Sequence, residues 1–113
     1  MITEKTISKK LRQIGMPVST KGFVYIKTAV NLIESDENYI YAITKRLYPD
    51  IAEKHNTTPQ RVERAIRYAI DRVFINDVID SFRPSGFVRG RSGKMTNGDF
   101  LGAMYECLKY EEI

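Results

Sequence analysis

Apolar residues recur at helical spacing along almost the whole chain, and the strict alternation of a half-buried strand is nearly absent. A first helix is expected over residues 3–14, with Ile7, Leu11 and Ile14 on one face and Gly15 at its end. Met16-Pro17 then forces an extended link. A second helix is expected over residues 21–34 with Phe23, Ile26, Ala29, Val30 and Ile33 inward, and Ser35-Asp36 stops it and is placed to cap the next segment. A third is expected over residues 39–55 with Ile40, Ile43, Leu47 and Ile51 as its stripe. Pro49 falls inside that span. Either it kinks the helix, or the helix breaks at Tyr48-Pro49 and a short one starts with Pro49 in its first turn; the second reading is favoured. A fourth helix covers residues 59–74 and a short fifth 77–82. A loop over 83–98 comes next, and the last helix begins at Thr96 or Asn97 with Phe100, Leu101, Met104 and Leu108 inward. The pattern predicts an all-α fold, a single compact bundle of about six helices forming one domain over residues 1–113.

The junction between the third and fourth helices is the most specific local signal. Ile51 and Ala52 are apolar and small where a second helix has to cross. Asn56 tolerates the left-handed conformation that ends a helix. Thr58-Pro59 then supplies an N-cap with proline at the first helical position, where no backbone N–H is missed. The fourth helix buries Val62, Ala65, Ile66, Ala69, Ile70 and Val73 and offers Gln60, Arg61, Glu63, Arg64 and Arg67 on its other face, within its first turns. So short a connection between two such helices is a helix-turn-helix, and the basic end of the second is the part that reaches base edges in DNA.

Size and charge are compatible with this. The 113 residues suit one core, and a net charge of +4 favours a polyanionic partner without requiring one. Cys107 and His55 are the only residues of their kinds, so neither a disulfide within the chain nor a Cys/His metal cluster can be assembled, and no cofactor is expected. The N-terminal stretch lacks a secretory apolar core, and no apolar run approaches the roughly 20 residues that span a bilayer. A cytoplasmic protein with no membrane contact is expected.

Each candidate site has a plainer reading. Arginine can bond guanine O6 and N7 together and glutamate can accept from cytosine N4, so a glutamate among arginines points to bases rather than phosphates alone; the same residues could form a solvated helix face laced with Glu-Arg pairs. The loop carries Arg83, Arg89, Arg91 and Lys94 and could lie along phosphates, or simply be soluble. Its SGKMT fragment imitates a phosphate-binding loop but has Val88 where the first glycine belongs and Met95 where a hydroxyl belongs. His55 reads as a surface histidine near a helix end, Cys107 as a packing thiol, and Tyr25, Tyr39, Tyr41, Tyr48 and Tyr68 as core or its rim. No pair of carboxylates is set for acid–base work, and no enzyme is expected.

The run ITKRLYPDIAEKHNTTPQRVERAIRYAI, with IGMPVSTKGFVYIKTAV before it and TNGDF after it, closely resembles the C-terminal effector domain of the sporulation master regulator of endospore-forming bacteria. The resemblance covers nearly the whole chain. It implies a six-helix fold with the recognition helix fourth, and base-reading positions at Arg61, Glu63, Arg64 and Arg67 with Gln60 at the helix start; all but Gln60 match the family's residue types. It implies short boxes of the TGTCGAA kind in double-stranded DNA, often in tandem and occupied by two molecules head to tail, and contact with the polymerase sigma subunit at some promoters. Residues 81–93 depart from the family pattern next to the region implicated in sigma contact. The receiver domain of such regulators has no counterpart here, so the chain is either a piece of a longer regulator or a free-standing effector.

The expected function is therefore sequence-specific DNA binding. Arg64 and Arg67 would read guanines, and Glu63 a cytosine or the orientation of an arginine. Thr58, Arg91 and Lys94 would hold the DNA backbone, with Arg61 also close to phosphates. The alternative is a protein-interaction module of the same fold docking on sigma, a receiver domain or itself. The last helix, with Tyr105 and Tyr110 alongside, would either pair two copies or close the core.

Overall fold

The computed structural model describes residues 2–75 and 95–111. Five α-helices occupy most of them: α1 (Glu4–Gln13), α2 (Lys21–Ser35), α3 (Tyr48–Lys54), α4 (Pro59–Ile75) and α5 (Asn97–Glu111). No strand occurs among the described residues, so the fold is all-α as expected. The helix expected over 77–82 and most of the loop over 83–98 lie outside the described residues, which leaves five α-helices where about six were expected.

The helix ends are set by local chemistry. Thr3 and Thr20 cap α1 and α2 by accepting from the Thr6 and Phe23 amides. Gly15 takes φ 88°, and the Gly15 and Met16 amides turn back onto the Arg12 and Leu11 carbonyls, so the last acceptors of α1 are satisfied. Asp36 ends α2 and caps the next turn through the Asn38 amide, doing both tasks expected of it.

The third expected helix is corrected. Residues 39–55 are not one α-helix: a 3-10 helix (Glu37–Tyr41) is followed by a break at Ala42 (φ −143°, ψ 48°), a π turn (Ile43–Leu47) and then α3. In the π turn the Leu47 amide reaches the Ala42 carbonyl and the Tyr48 amide that of Ile43. Pro49 lies in the first turn of α3, as favoured, but no loop precedes it. A proline ring collides with the carbonyl four residues earlier in a regular helix, and the wider turn ahead of Pro49 relieves that crowding. The stripe shifts accordingly. Leu47 and Ile51 are fully buried, Ile40 and Ile43 only partly, and Tyr39 turns inward, its hydroxyl donating to Asp50 while Arg46 lies over its ring.

Most of the predicted core is observed, with Ala65 of α4 only partly buried. Ile7, Leu11 and Ile14 of the first segment, Ile26, Ala29, Val30 and Ile33 of α2, and Phe100, Leu101, Met104 and Leu108 of α5 have no exposed surface. Helix α2 runs through the middle and packs on α4, α5 and α1. It lies close against α4 at Gly22: a Cβ there would stand 2.2 Å from the Ala65 carbonyl oxygen and 2.6 Å from the Ala69 Cβ.

Two tyrosines depart from the rim assignment, Tyr41 and Tyr68, which are 87% and 57% exposed. On α5, Tyr105 is buried and its hydroxyl donates to Glu37, whose carboxylate also accepts from Lys109 Nζ at 3.0 Å. Burial, with the Glu37 hydrogen bond second, pushes the Tyr105 phenol up to about 12. That helix closes the core, and only Tyr110 of the expected pairing face stands in solvent.

Candidate nucleic-acid interface

Helix α3 ends as the sequence requires. Asn56 is the one non-glycine residue at positive φ (54°) among the described residues. The Thr57 amide bonds the Ala52 carbonyl at 2.9 Å and the Asn56 amide that of Glu53, the paired bonds of a left-handed helix stop. His55, expected at the surface, is half-buried: its Nε2 shares a 2.7 Å hydrogen bond with Thr28 and its ring meets Tyr25 edge-on, tying the end of α3 to α2. Thr58 then caps α4, its hydroxyl accepting from the Arg61 amide at 3.2 Å. Three residues after Asn56 the chain is helical again, so α4 is held across α3 by a turn that admits few other arrangements.

The exposed side of α4 carries four of the five predicted residues. Gln60, Arg64 and Arg67 fall at i, i+4 and i+7, one line along the helix, and Arg61 and Tyr68 form a second line beside it. All five are exposed. From Gln60 to Arg67 the helix rises about 10 Å, close to three base-pair steps. Among the described residues Arg61 and Arg64 make no ion pair, so their guanidiniums are available to an anion. Tyr68 extends this face by a turn and was missed in the sequence, because an aromatic beside an apolar stripe reads as core.

Glu63 stands apart from this array. Its carboxylate pairs with Arg67 at 3.0 Å, and its side chain is 32% exposed against 58% for Arg67. The pair sits at the rim of a cleft of about 490 Å³ between the π turn, α4 and the start of α5, where Asp71 is a second acid. Arg61, Arg64 and Arg67 all stand on the exposed side of the helix.

The start of α5 also touches α4. Thr96 caps α5 through the Asp99 amide, and the Asn97 side-chain nitrogen donates 3.0 Å to the Tyr48 hydroxyl and 3.1 Å to the Glu63 carbonyl. Burial, partly opposed by the Asn97 bond, raises the Tyr48 phenol above its ordinary value and keeps it neutral. Thr58, expected to hold the DNA backbone, is exposed at the start of α4, whereas Arg91 and Lys94 lie outside the described residues. Among the described residues no group of His, Cys, Asp and Glu could hold a metal ion, and no helix is long and apolar enough to cross a membrane.

The arrangement is a basic helix presented by a tight turn, with one acid paired to one of its arginines. It agrees with the comparison of the chain with known families: residues 7–108 match the family model described as sporulation initiation factor Spo0A C terminal. That match spans nearly the whole chain, and the protein belongs to this family of DNA-binding effector domains of sporulation regulators.

Proposed function

We propose that the protein reads a short TGTCGAA-like box by laying the first turns of α4 in the major groove of double-stranded DNA. Its family is one of DNA-binding regulators and not of enzymes. The observation that carries the finer reading is the exposed array of Gln60, Arg61, Arg64 and Arg67 on the second helix of a tight helix-turn-helix. Arg64 and Arg67 read guanines, Arg61 lies between the base edges and the phosphates, and Thr58 meets the backbone at the helix start. Glu63, expected either to accept from a cytosine or to orient an arginine, is read here in the second role, since its carboxylate already holds Arg67. Arg91 and Lys94 add phosphate contacts.

On this reading residues 1–113 act as one effector unit on chromosomal DNA in a bacterial cytoplasm, two copies head to tail on tandem boxes, with sigma as a partner at activated promoters. Docking as a protein module instead would place three exposed arginines in an interface core, where charge is normally depleted.

Fluorescence anisotropy on a one-box duplex and a scrambled duplex across a salt series tests the proposal. A preference of about 10³-fold or more at moderate salt is expected. Arg64→Ala should cost ~1–3 kcal/mol on the box and relax its specificity. Equal losses on both duplexes would reduce Arg64 to a phosphate contact, and absence of binding would favour the interaction module.

A further inference from the structure

We propose that Asn97 is a positioning residue for base reading: its side-chain amide fixes the roll of the recognition helix and so sets the aim of Arg67. The inference rests on Arg67 reading a base. Asn97 is the first residue of α5, distant in sequence from both of its partners, Tyr48 on α3 and Glu63 on α4. The Glu63 carbonyl can only accept, so the atom facing it is the amide nitrogen, and the two N–H groups of that nitrogen serve the two acceptors. One side chain thus joins three helices. It meets α4 at the residue whose carboxylate holds Arg67, on the turn that links residues 63 and 67.

The leverage is large at this radius. A roll of about 5° carries a group at the ~5–6 Å outer radius of a helix through about 0.5 Å, which is the tolerance within which a recognition constellation has to be held. Gly22 fixes how closely α4 lies on α2, but a contact at a helix crossing leaves roll comparatively free; a hydrogen bond to one carbonyl off the axis does not. Asn97 touches neither base nor phosphate in this scheme. It acts through Glu63 and Arg67, and its removal should alter discrimination rather than general affinity for DNA.

The test is a double-mutant cycle read by anisotropy on the box and scrambled duplexes, using the full chain with Asn97→Ala, Arg67→Ala and both together. Asn97→Ala should lower the box-to-scrambled preference about fivefold, the usual worth of one hydrogen bond, while scrambled-duplex affinity and the salt slope stay as they are. In the Arg67→Ala background its further effect should be clearly smaller, the remainder acting through Arg64, which turns with the same helix. Asn97→Asp keeps the size of the side chain and suits a helix start, yet its carboxylate cannot donate to the Glu63 carbonyl; it should lose the same preference, and it serves as the reporter if the alanine variant melts. Tyr48→Phe, which leaves the bond to Glu63, should keep it. Losses that add in the double variant, an equal loss on both duplexes, or wild-type preference in Asn97→Asp would each overturn the inference. If Arg67→Ala alone leaves the preference intact, the base-reading role of Arg67 fails first and the positioning role falls with it.

Discussion

Replacing Gly22 with alanine should destabilise the protein, whereas the same change at Gly102 should stabilise it. At position 22 the added Cβ would lie 2.2 Å from the Ala65 oxygen, 2.9 Å from the Ala65 carbonyl carbon and 2.6 Å from the Ala69 Cβ, where ordinary contact begins near 3.4 Å. The deficit against the oxygen is 3.4 − 2.2 = 1.2 Å. None of these atoms is the end of a flexible side chain, so α4 has to retreat as a body. Forcing one methyl into a packed interior costs ~1–3 kcal/mol. Alanine's better helix propensity returns at most ~1 kcal/mol, and less in a first turn. A net loss of about 1–2 kcal/mol should lower the melting temperature by roughly 5–10 °C in a domain of this size. At Gly102, inside α5, nothing among the described residues lies within 4 Å of an added Cβ. There the propensity term stands alone, and a gain of ~0.5–1 kcal/mol should raise melting by a few degrees. Thermal unfolding followed by far-UV circular dichroism measures both. A Gly22→Ala protein melting at or above the wild-type temperature would refute the close-crossing argument.

Four further outcomes are expected. Thr58→Ala removes the hydroxyl that caps α4 and should cost ~1 kcal/mol by denaturant titration, with no change in the slope of the transition. Tyr105 titrates at about 12 against 10.0 for a free tyrosine, so its contribution to stability is complete below pH 10 and is lost as pH rises towards 12; in Glu37→Gln an ultraviolet titration should find that phenol lower but still raised, because burial is the larger cause. The Glu37 carboxyl itself is held down by the Tyr105 hydroxyl first and then by Lys109, so its contribution is present at neutral pH and is lost as pH falls through its depressed value. Lys94→Ala should weaken binding to the box and scrambled duplexes alike and reduce the salt slope by about one contact, and an unchanged slope would remove Lys94 from the interface.

Much of the fold was readable because the deciding signals are local. The ends of α1, α3 and α4 were fixed by Gly15, Asn56 and Thr58, residues whose backbone or side-chain preferences act within one turn. The 3-10 and π segments before α3 were not readable. They depend on Tyr39 reaching Asp50 and on Arg46 folding over the Tyr39 ring, contacts that exist only once the chain has turned. Tyr41 and Tyr68 misled for the opposite reason: they lie next to apolar positions in sequence but outside them on the helix surface. The arginines of α4 were found because a charged line on a helix needs no partner to be seen. Gly22 and Asn97 escaped notice because each matters only through the groups that face it, an oxygen of α4 in one case and Glu63 and Tyr48 in the other.

The π turn at Ile43–Leu47 has a bearing on how such chains can diverge. A turn closed over five residues rather than four stores one residue more than a regular helix would hold there. Thr44, Lys45 and Arg46 face solvent. Loss of one residue from this stretch would tighten the turn to α-helical pitch while leaving the elements on both sides in their places. Gain or loss of chain length is thus absorbed ahead of the helix-turn-helix, and α3 and α4 can keep their register while the segment leading into them changes.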